Sequence, residues 1–332
     1  MKKLATLLFV IAIVAAGAVG WANHRYHQEP LRFDKAPVRV EIRRGDNLRQ
    51  VASRLSDSGI HVSGLTMSLI GRYRPDASRI QAGTYLLSPP MTLETLVDKM
   101  VGGEVMATEV RFIEGWRFAQ MRDAIRANPD IKIVASDLPE SELMARLGSE
   151  RKKAEGLFFP STYKAGVGAT DLDIYRQAYE KMQSVLMDAW KGREENLPLE
   201  TPYDALRLAS IVEKETGIEE DRDIIAGVFI NRLRLNMMLQ SDPTTIYGLG
   251  DEFDGDLKRR HLRTDTPYNT YTRKGLTPTP IAMPSRASIQ AVLHPAKTKA
   301  LYFVARGDGS SEFSETLKQH QRAVRKYQLG QK

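Results

Sequence analysis

The spacing of apolar residues between Tyr203 and Gly217 predicts an amphipathic helix that carries a carboxylate on its apolar side. At about 100° per residue, the apolar residues fall on one stripe of that helix: Ala205, Leu208, Ala209 and Val212. Glu215 and Thr216 continue the stripe one turn later, whereas Glu213 lies about 160° away from Glu215 around the helix. Gly217 is suited to end the helix as a left-handed cap.

A carboxylate on an apolar helix face is suited to acid catalysis. Burial disfavours the charged form of a carboxyl group and raises its pKa toward neutrality. A glutamic acid that is protonated near neutral pH can donate a proton to the leaving oxygen of a glycoside. The same pattern is also typical of a helix-end glutamate that pairs with an arginine or caps a neighbouring element. The pattern alone therefore leaves both interpretations of Glu215 open.

A second hydrophobic segment, Leu4–Ala22, has no charged residue over its 19 positions. As a helix it would be about 28 Å long, close to the thickness of the hydrocarbon core of a bilayer. Lys2 and Lys3 precede it and place the N-terminus in the cytoplasm. The sequence therefore predicts a single-pass protein of the bacterial inner membrane with its bulk in the periplasm. A cleaved signal peptide is the alternative, although the apolar run exceeds the usual length of such peptides.

Charge and composition restrict the possible partners. The net charge is +7, which suits an exported domain that meets an anionic polymer such as a cell wall, or anionic lipid headgroups. The basic runs Arg151–Lys153 and Lys258–Arg260 are short and indicate solvated faces, so nucleic acid is not expected. The chain has no cysteine, which excludes disulfides and thiolate metal sites. Its six histidines lack ligand spacing beyond His24 and His27, so no metal is expected.

The polar segment at 23–37 is predicted to be a linker. After it, the same order of strand, turn and helix occurs twice in the sequence. Alternating apolar and polar residues in Val38–Ile42 predict a strand, and Gly45 predicts a turn. The spacing of the apolar residues after this turn predicts a helix. The same order recurs from Val110, with Gly115 at the turn. The first unit, together with the segment around Tyr85, resembles a LysM-type module, which implies glycan binding or a spacer. A module that serves only packing is the alternative.

Three polar, turn-rich segments follow the Glu215 helix: Leu239–Gly248, Thr266–Tyr271 and Gly275–Pro284. Loops with this composition are where binding residues usually lie. We expect them to converge on Glu215 and to hold a glycan through amide, carboxylate and hydroxyl groups, with the following candidates: Thr216, Gln240, Asp242, Thr244, Tyr247, Tyr268 and Asn269. For Tyr247 above all, the alternative is a packing residue whose hydroxyl points to solvent.

Several motifs in a fixed order resemble the endolytic murein transglycosylase (YceG-like) family: ASIVEKET, LQSDPTTIYGL, YNTY, GLTPTPIAMPS and HPAKTKALYFV. The resemblance covers essentially the whole chain. It implies an α+β fold with an active-site helix like that of lysozyme and the lytic transglycosylases. It places the catalytic glutamate at Glu215, followed by Thr216 where relatives have serine. The predicted parts are a cytoplasmic tail (1–3), a transmembrane helix (4–22), a linker (23–37), a LysM-like module (38–104) and a catalytic domain (105–332).

The resemblance also implies the reaction and its partners. The family cuts the β-1,4 bond between N-acetylmuramic acid and N-acetylglucosamine inside a peptidoglycan strand and leaves a 1,6-anhydro end. Glu215 would act first as acid and then as base, without a cofactor. The implied partners are glycan strands and cell-wall synthases of the penicillin-binding protein class.

Two other functions stay open on the sequence. A non-catalytic peptidoglycan-binding scaffold would keep the LysM-like part and would not need Glu215 on the apolar stripe. A lysozyme-like muramidase would need a second carboxylate and a water molecule. Asp242 is the best candidate for that carboxylate, although we assign it to loop order or substrate hydrogen bonding.

Overall fold

The structure, a computed structural model, describes residues 2–330, with backbone alone for much of the stretch before residue 19. The fold is of the α+β type, as expected, with helices predominating and three two-stranded sheets in the described residues. The chain forms two compact units. Unit 1 comprises the residues up to Thr108 and Lys164–Ala169, and unit 2 comprises the rest. The segment Lys164–Ala169 thus returns to unit 1, and the predicted domain boundary at residue 104 stays a prediction.

Unit 1 is a small assembly of helices and one two-stranded sheet around one apolar core. Its elements are α1 (Lys2–His27), β1 (Val38–Ile42), α2 (Leu48–Asp57), α3 (Gly64–Tyr73), a 3₁₀ turn (Pro75–Arg79), β2 (Gly83–Leu87) and α4 (Leu93–Val101). Strands β1 and β2 pair antiparallel, with Val38 opposite Leu87 and Ile42 opposite Gly83. The alternation predicted for β1 is confirmed, because Val38, Val40 and Ile42 are buried and the residues between them are exposed.

The segment at 23–37 is not a free linker. Its first residues continue α1, and Tyr26, Leu31 and Phe33 pack against the core of unit 1. The backbone N–H of Leu31 donates to the Met91 carbonyl at 2.7 Å, and Phe33 forms an isolated β-bridge with Ile60. The polar composition concealed these apolar side chains, whose burial ties the segment down.

No helix in the part of the chain that the structure describes is both long and apolar enough to cross a bilayer. Most side chains of the segment at 4–18 lie outside the described residues. The transmembrane helix over Leu4–Ala22 therefore stays a prediction.

The second strand–turn–helix unit exists as the sequence pattern predicted. Strand β3 (Ala107–Arg111) is followed by Gly115 at φ +75° and by α5 (Phe118–Arg126). The apolar positions of α5 are buried: Phe118, Met121 and Ile125. Gly45 in the first unit has φ +91°, so both turns use the left-handed conformation that glycine adopts at little cost. Strand β3 pairs with β4 (Thr162–Gly166), and the boundary between the units falls within these strands.

Unit 2 is mainly helical. Beyond α5 it contains α6 (Glu140–Arg146), α7 (Asp171–Lys191), α8 (Pro202–Glu215), α9 (Glu219–Arg234), α10 (Asp242–Leu249), a 3₁₀ turn (Gly250–Glu252), α11 (Arg259–Arg263), α12 (Arg286–Leu293), β5 (Tyr302–Ala305), β6 (Ser311–Ser314) and α13 (Leu317–Tyr327). Strands β5 and β6 form an antiparallel hairpin. Helix α8 packs against α7, α9, α10 and α12 and is the centre of this unit.

Helix α8 follows the predicted pattern closely. Thr201 caps its N-terminus in a capping box with Asp204, and Pro202 takes the first turn. Every apolar residue of the predicted stripe is fully buried: Ala205, Leu208, Ala209 and Val212. The predicted glycine cap is wrong, because Thr216 follows the helix in an extended conformation and Gly217 has no positive φ. The Thr216 hydroxyl accepts from the Ile218 N–H at 2.9 Å, which turns the chain without a left-handed residue.

Candidate active site

Glu215 is the last residue of α8 and is half-buried. The Ser241 hydroxyl donates to its Oε1 at 2.5 Å. Burial raises the pKa of Glu215 to about 7, and the charge of Asp242 adds to this rise, while the Ser241 hydrogen bond and the charge of Arg232 oppose it. A carboxyl group with this pKa is present in both protonation states near neutrality, so it can give up a proton and later take one back.

Ser241 is held in place by the loop that contains the YNTY motif. It is 1% exposed and precedes α10, and its N–H donates to the Thr270 hydroxyl at 3.0 Å. The neighbouring Gln240 N–H donates to the Thr270 carbonyl at 3.1 Å. The segments 239–242 and 266–271 therefore meet beside Glu215, as expected from their composition. The side chain that contacts Glu215 is Ser241, which sequence analysis did not single out.

A buried cation lies within electrostatic reach of Glu215. Arg232 on α9 is 6% exposed, and its guanidinium donates to the carbonyls of Leu301 at 2.7 Å and Leu239 at 2.6 Å. Burial lowers the pKa of Arg232, and its charge lowers the pKa of Glu215. Arg232 thus stabilises the carboxylate form of Glu215. In the sequence, Arg232 is a basic residue in the last turn of a helix, a position that the helix dipole favours whatever the function.

Asp242 is the first residue of α10 and accepts a hydrogen bond from the Tyr271 hydroxyl at 2.5 Å. Its negative charge is one of the causes of the raised pKa of Glu215. Burial and the bond to Asp242 raise the pKa of Tyr271, so the phenol keeps its proton and remains the donor. This arrangement agrees with the assignment of Asp242 to loop order or substrate hydrogen bonding.

Two of the predicted binding residues form hydrogen bonds within the protein. Asn269 is fully buried; its amide nitrogen donates to the Thr264 carbonyl at 2.7 Å, and its oxygen accepts from the Tyr271 N–H at 2.9 Å. Thr244 is also fully buried and donates to the Ser241 carbonyl at 2.6 Å. Both residues order the loops beside Glu215. Contact of either side chain with substrate stays a prediction.

The other predicted binding residues are half-buried or exposed. Gln240 is exposed and has φ +51°, in the left-handed region. Thr216 is half-buried directly after Glu215. The rings of Tyr247 and Tyr268 pack with centroids 4.8 Å apart. The Tyr268 hydroxyl lies 3.0 Å from that of Thr279, so the third loop, Gly275–Pro284, joins this group.

A second buried carboxyl group, Glu155, lies beneath Tyr247. It is 7% exposed, and it accepts from the Phe118 N–H at 3.0 Å and from the Tyr247 hydroxyl at 3.2 Å. Burial raises its pKa to about 7. The Tyr247 hydroxyl therefore points inward, not to solvent. In the sequence, Glu155 is the only acid of the segment 155–163, where it precedes a glycine and a run of apolar and aromatic residues.

Glu213 has a structural role. Its Oε2 accepts from the Ser285 N–H at 2.9 Å and from the hydroxyls of Ser285 and Ser288, both at 2.6 Å. These contacts fix the N-terminus of α12, where a negative charge is also favoured by the helix dipole. The two carboxylates near the end of α8 thus differ in role: Glu213 is a cap and Glu215 faces the loops.

Comparison with known proteins identifies the family. The model of the YceG-like family matches residues 40–326. The chain belongs to the YceG-like family. It is 32% identical over 317 residues to a Bacillus subtilis (strain 168) protein named endolytic murein transglycosylase, covering 90% of this chain and 87% of that protein. A protein of the same name from Streptococcus pneumoniae (strain ATCC BAA-255 / R6) is 27% identical over 96% of this chain and 64% of its own length.

A solved structure agrees with this assignment. The crystal structure of a putative YceG-like protein from Listeria monocytogenes superimposes with a TM-score of 0.56 at 29% sequence identity. The match covers 86% of this chain and 97% of the Listeria protein. The YceG-like fold therefore extends over most of the chain.

The residues described in this YceG-like chain contain no cluster of three or more histidine, aspartate or glutamate side chains that could hold a metal ion.

We expect Ser241→Ala in this YceG-like chain to raise the pKa of Glu215, because the hydroxyl donates to the ionised carboxylate and so lowers that pKa. Activity that needs protonated Glu215 would then persist to higher pH than in the wild type. The pH profile of kcat/KM measures this shift. Ser241→Thr, which retains the hydroxyl, is the matched control, and an unmoved alkaline limb in Ser241→Ala would contradict the role of this bond.

Proposed function

We propose that the protein is a membrane-anchored endolytic peptidoglycan transglycosylase in which Glu215 is the general acid and then the general base. The observation that carries this proposal is the setting of Glu215: a carboxyl group at the end of α8, bonded to Ser241, whose pKa burial raises to about 7. The proteins from Bacillus and Streptococcus named endolytic murein transglycosylase support the same reaction.

In the first step, protonated Glu215 donates its proton to the glycosidic oxygen between the muramyl and glucosaminyl units. The bond from that oxygen to the muramyl C1 breaks, and positive charge develops on the muramyl ring. Glu215 is now a carboxylate. The Ser241 hydroxyl and the Arg232 charge both stabilise this form, which lowers the cost of giving up the proton.

In the second step, the 6-hydroxyl of the same muramyl unit attacks C1 while Glu215 takes its proton. A 1,6-anhydro ring closes, the glucosaminyl product leaves with a free hydroxyl, and Glu215 returns to its protonated form. No water is consumed. The nucleophile belongs to the substrate, so the protein contributes mainly by holding the muramyl ring in a reactive orientation.

The surroundings of the other carboxylates favour this route over hydrolysis by a lysozyme-like muramidase. Hydrolysis uses a second carboxylate beside the scissile bond. Asp242 accepts a hydrogen bond from Tyr271, and Glu155 accepts from Phe118 and Tyr247. Mass spectrometry of the products tests the proposal: anhydro ends support it, reducing ends would establish a muramidase, and the absence of cleavage would leave a binding scaffold.

Membrane anchoring and glycan binding by unit 1 are part of the proposal. The apolar run Leu4–Ala22 supports a single inner-membrane helix with the bulk of the chain in the periplasm. The β1–α2–α3–β2 order of unit 1, with paired β1 and β2, is compatible with a LysM-like module. An enzyme tethered beside the membrane would meet newly made strands, which suits association with penicillin-binding proteins.

We expect an exported form without residues 1–22 to cleave glycan in vitro but to fail to complement loss of the full-length protein in cells. Tyr26 should be retained, because its hydroxyl accepts from Arg74 at 2.9 Å within unit 1. Cleavage assays and a complementation test measure the two outcomes. A foreign single-pass helix in place of residues 4–22 is the control and should restore complementation. Full complementation by the untethered form would contradict a role for the anchor.

A further inference from the structure

A group of tyrosines and arginines in unit 2 continues away from Glu215. The Arg151 guanidinium lies over the Tyr203 ring at 3.4 Å, and that of Arg117 lies over the Tyr247 ring at 4.9 Å. Tyr247 in turn packs against Tyr268. We call Arg117, Arg151, Tyr203, Tyr247 and Tyr268 the arginine–tyrosine surface.

The loop Gly275–Pro284 connects the two halves of this surface. Arg207, one turn after Tyr203 on α8, donates to the Thr277 carbonyl at 2.9 Å. The Thr277 hydroxyl donates to the Thr279 carbonyl at 2.7 Å, and the Thr279 hydroxyl lies beside that of Tyr268. Arg207 also pairs with Asp204, so its charge is already balanced.

The guanidinium groups of Arg117 and Arg151, which stack on tyrosine rings, are not balanced by a paired carboxylate in the part of the chain that the structure describes. Within the described residues, neither Arg117 nor Arg151 forms an ion pair with a carboxylate, whereas the nearby Lys153 and Arg207 do. Glu155 lies close enough for the Arg117 charge to lower its pKa, but both its oxygens already accept hydrogen bonds from Phe118 and Tyr247. A guanidinium that stacks on a ring keeps its edge N–H groups in plane, where they match the two oxygens of a carboxylate.

The arginine–tyrosine surface includes residues of the two helices that carry Glu215 and Asp242. Tyr247 comes five residues after Asp242 on α10, which is about 7 Å along the helix axis. Tyr203 lies twelve residues before Glu215 on α8, which is about 18 Å along that axis. Contacts at these positions are a few sugar units from the bond that is cut.

We propose that the arginine–tyrosine surface is a subsite for peptidoglycan stem peptides, in which Arg117 and Arg151 bind the carboxylates of the stems. The inference rests on the proposed function, because it assigns the same site a preference for glycan that carries stems. Tyr203 and Tyr247 hold the two guanidinium groups in place by stacking, and Tyr268 packs against Tyr247. The basic run Arg151–Lys153, which the sequence pattern indicated to be a solvated face, gains a binding role in this way.

The test compares strands that carry stem peptides with the same strands after an amidase has removed the stems. Binding is measured on the full-length Glu215→Gln protein in detergent, so that cleavage is not needed. The Glu215→Gln protein should bind stem-bearing strands about tenfold more tightly than stripped ones, since two solvent-accessible charge pairs contribute roughly threefold each. Adding Arg117→Ala and Arg151→Ala should remove this preference and leave the affinity for stripped strands unchanged.

Controls separate recognition of carboxylates from other causes. Arg193, which stacks on Trp190 at 4.0 Å and has no contact with the surface, gives the matched variant Arg193→Ala and should keep the preference. Arg117→Lys and Arg151→Lys together should retain part of the preference, because the positive charges remain. The rest should be lost, because the ammonium group lacks the planar guanidinium edge. Strands with amidated stem carboxylates should bind like stripped strands.

Three results would overturn the subsite: equal binding of stem-bearing and stripped strands, full retention of the preference in the double alanine variant, or equal loss on both substrates. Equal competition by a stem-free anionic polymer of matched charge would likewise replace the subsite with general charge attraction. Failure of the proposed function is a separate result, namely no cleavage of either substrate by the wild type. The subsite is supported only if the stem preference depends on both arginines.

Discussion

Glu215→Gln should reduce glycan cleavage by about 10²–10⁴-fold while leaving the protein folded. Glutamine keeps the shape of the side chain and can still accept the Ser241 hydrogen bond, but it cannot donate and recover a proton. The release of anhydro-muropeptides measures the rate, and circular dichroism checks the fold. In the wild type, activity should fall as the pH rises through about 7, because the raised pKa of Glu215 sets where the acid loses its proton.

Glu213→Gln is the matched control, two residues away on the same helix. Its Oε2 caps α12, and glutamine retains one acceptor oxygen for those donors. We expect lower stability by about 1 kcal/mol, from weaker charge-assisted bonds, with cleavage largely retained. An active Glu215→Gln together with an inactive Glu213→Gln would show that the roles of the two glutamates are reversed.

The local elements of the chain were predictable because their patterns are set by burial of one face. The periodicity of α8 and the alternation of β1 are direct consequences of a helix or strand that packs one side against a core. The same reasoning placed Glu215 on the apolar side of α8, and Glu215 is the last residue of that helix. Turn chemistry was less reliable, as the extended Thr216 in place of a glycine cap shows.

The partners of Glu215 were not predictable in this way, because they come from elements distant in sequence. Ser241 reaches Glu215 from the start of α10, and Arg232 acts from the interior of α9. Glu155, likewise, gives little signal in the sequence, because the residues that follow it are mainly apolar and aromatic. No periodic pattern records which loops converge, so these contacts depend on tertiary packing. Composition correctly indicated that the loops meet, but not which of their side chains face the carboxyl group.

Asn269 shows what this distinction means for experiments. The sequence suggested a substrate ligand, whereas the structure gives its amide to the carbonyls of His261, Leu262 and Thr264 and to the N–H of Tyr271. If the loop depends on these bonds, Tyr271 and through it Asp242 depend on Asn269 as well.

We therefore expect Asn269→Ala to lower the free energy of unfolding by about 2–4 kcal/mol, because several buried backbone groups lose their partner. The rate of cleavage should fall with it, mainly in kcat, since the loop beside Glu215 loses its order. Gln240→Ala is the contrasting variant: Gln240 is exposed, so its loss should leave stability unchanged and raise KM if it contacts the glycan. Denaturant unfolding and steady-state kinetics measure both. An Asn269→Ala protein of wild-type stability, with a raised KM alone, would instead identify Asn269 as a substrate ligand.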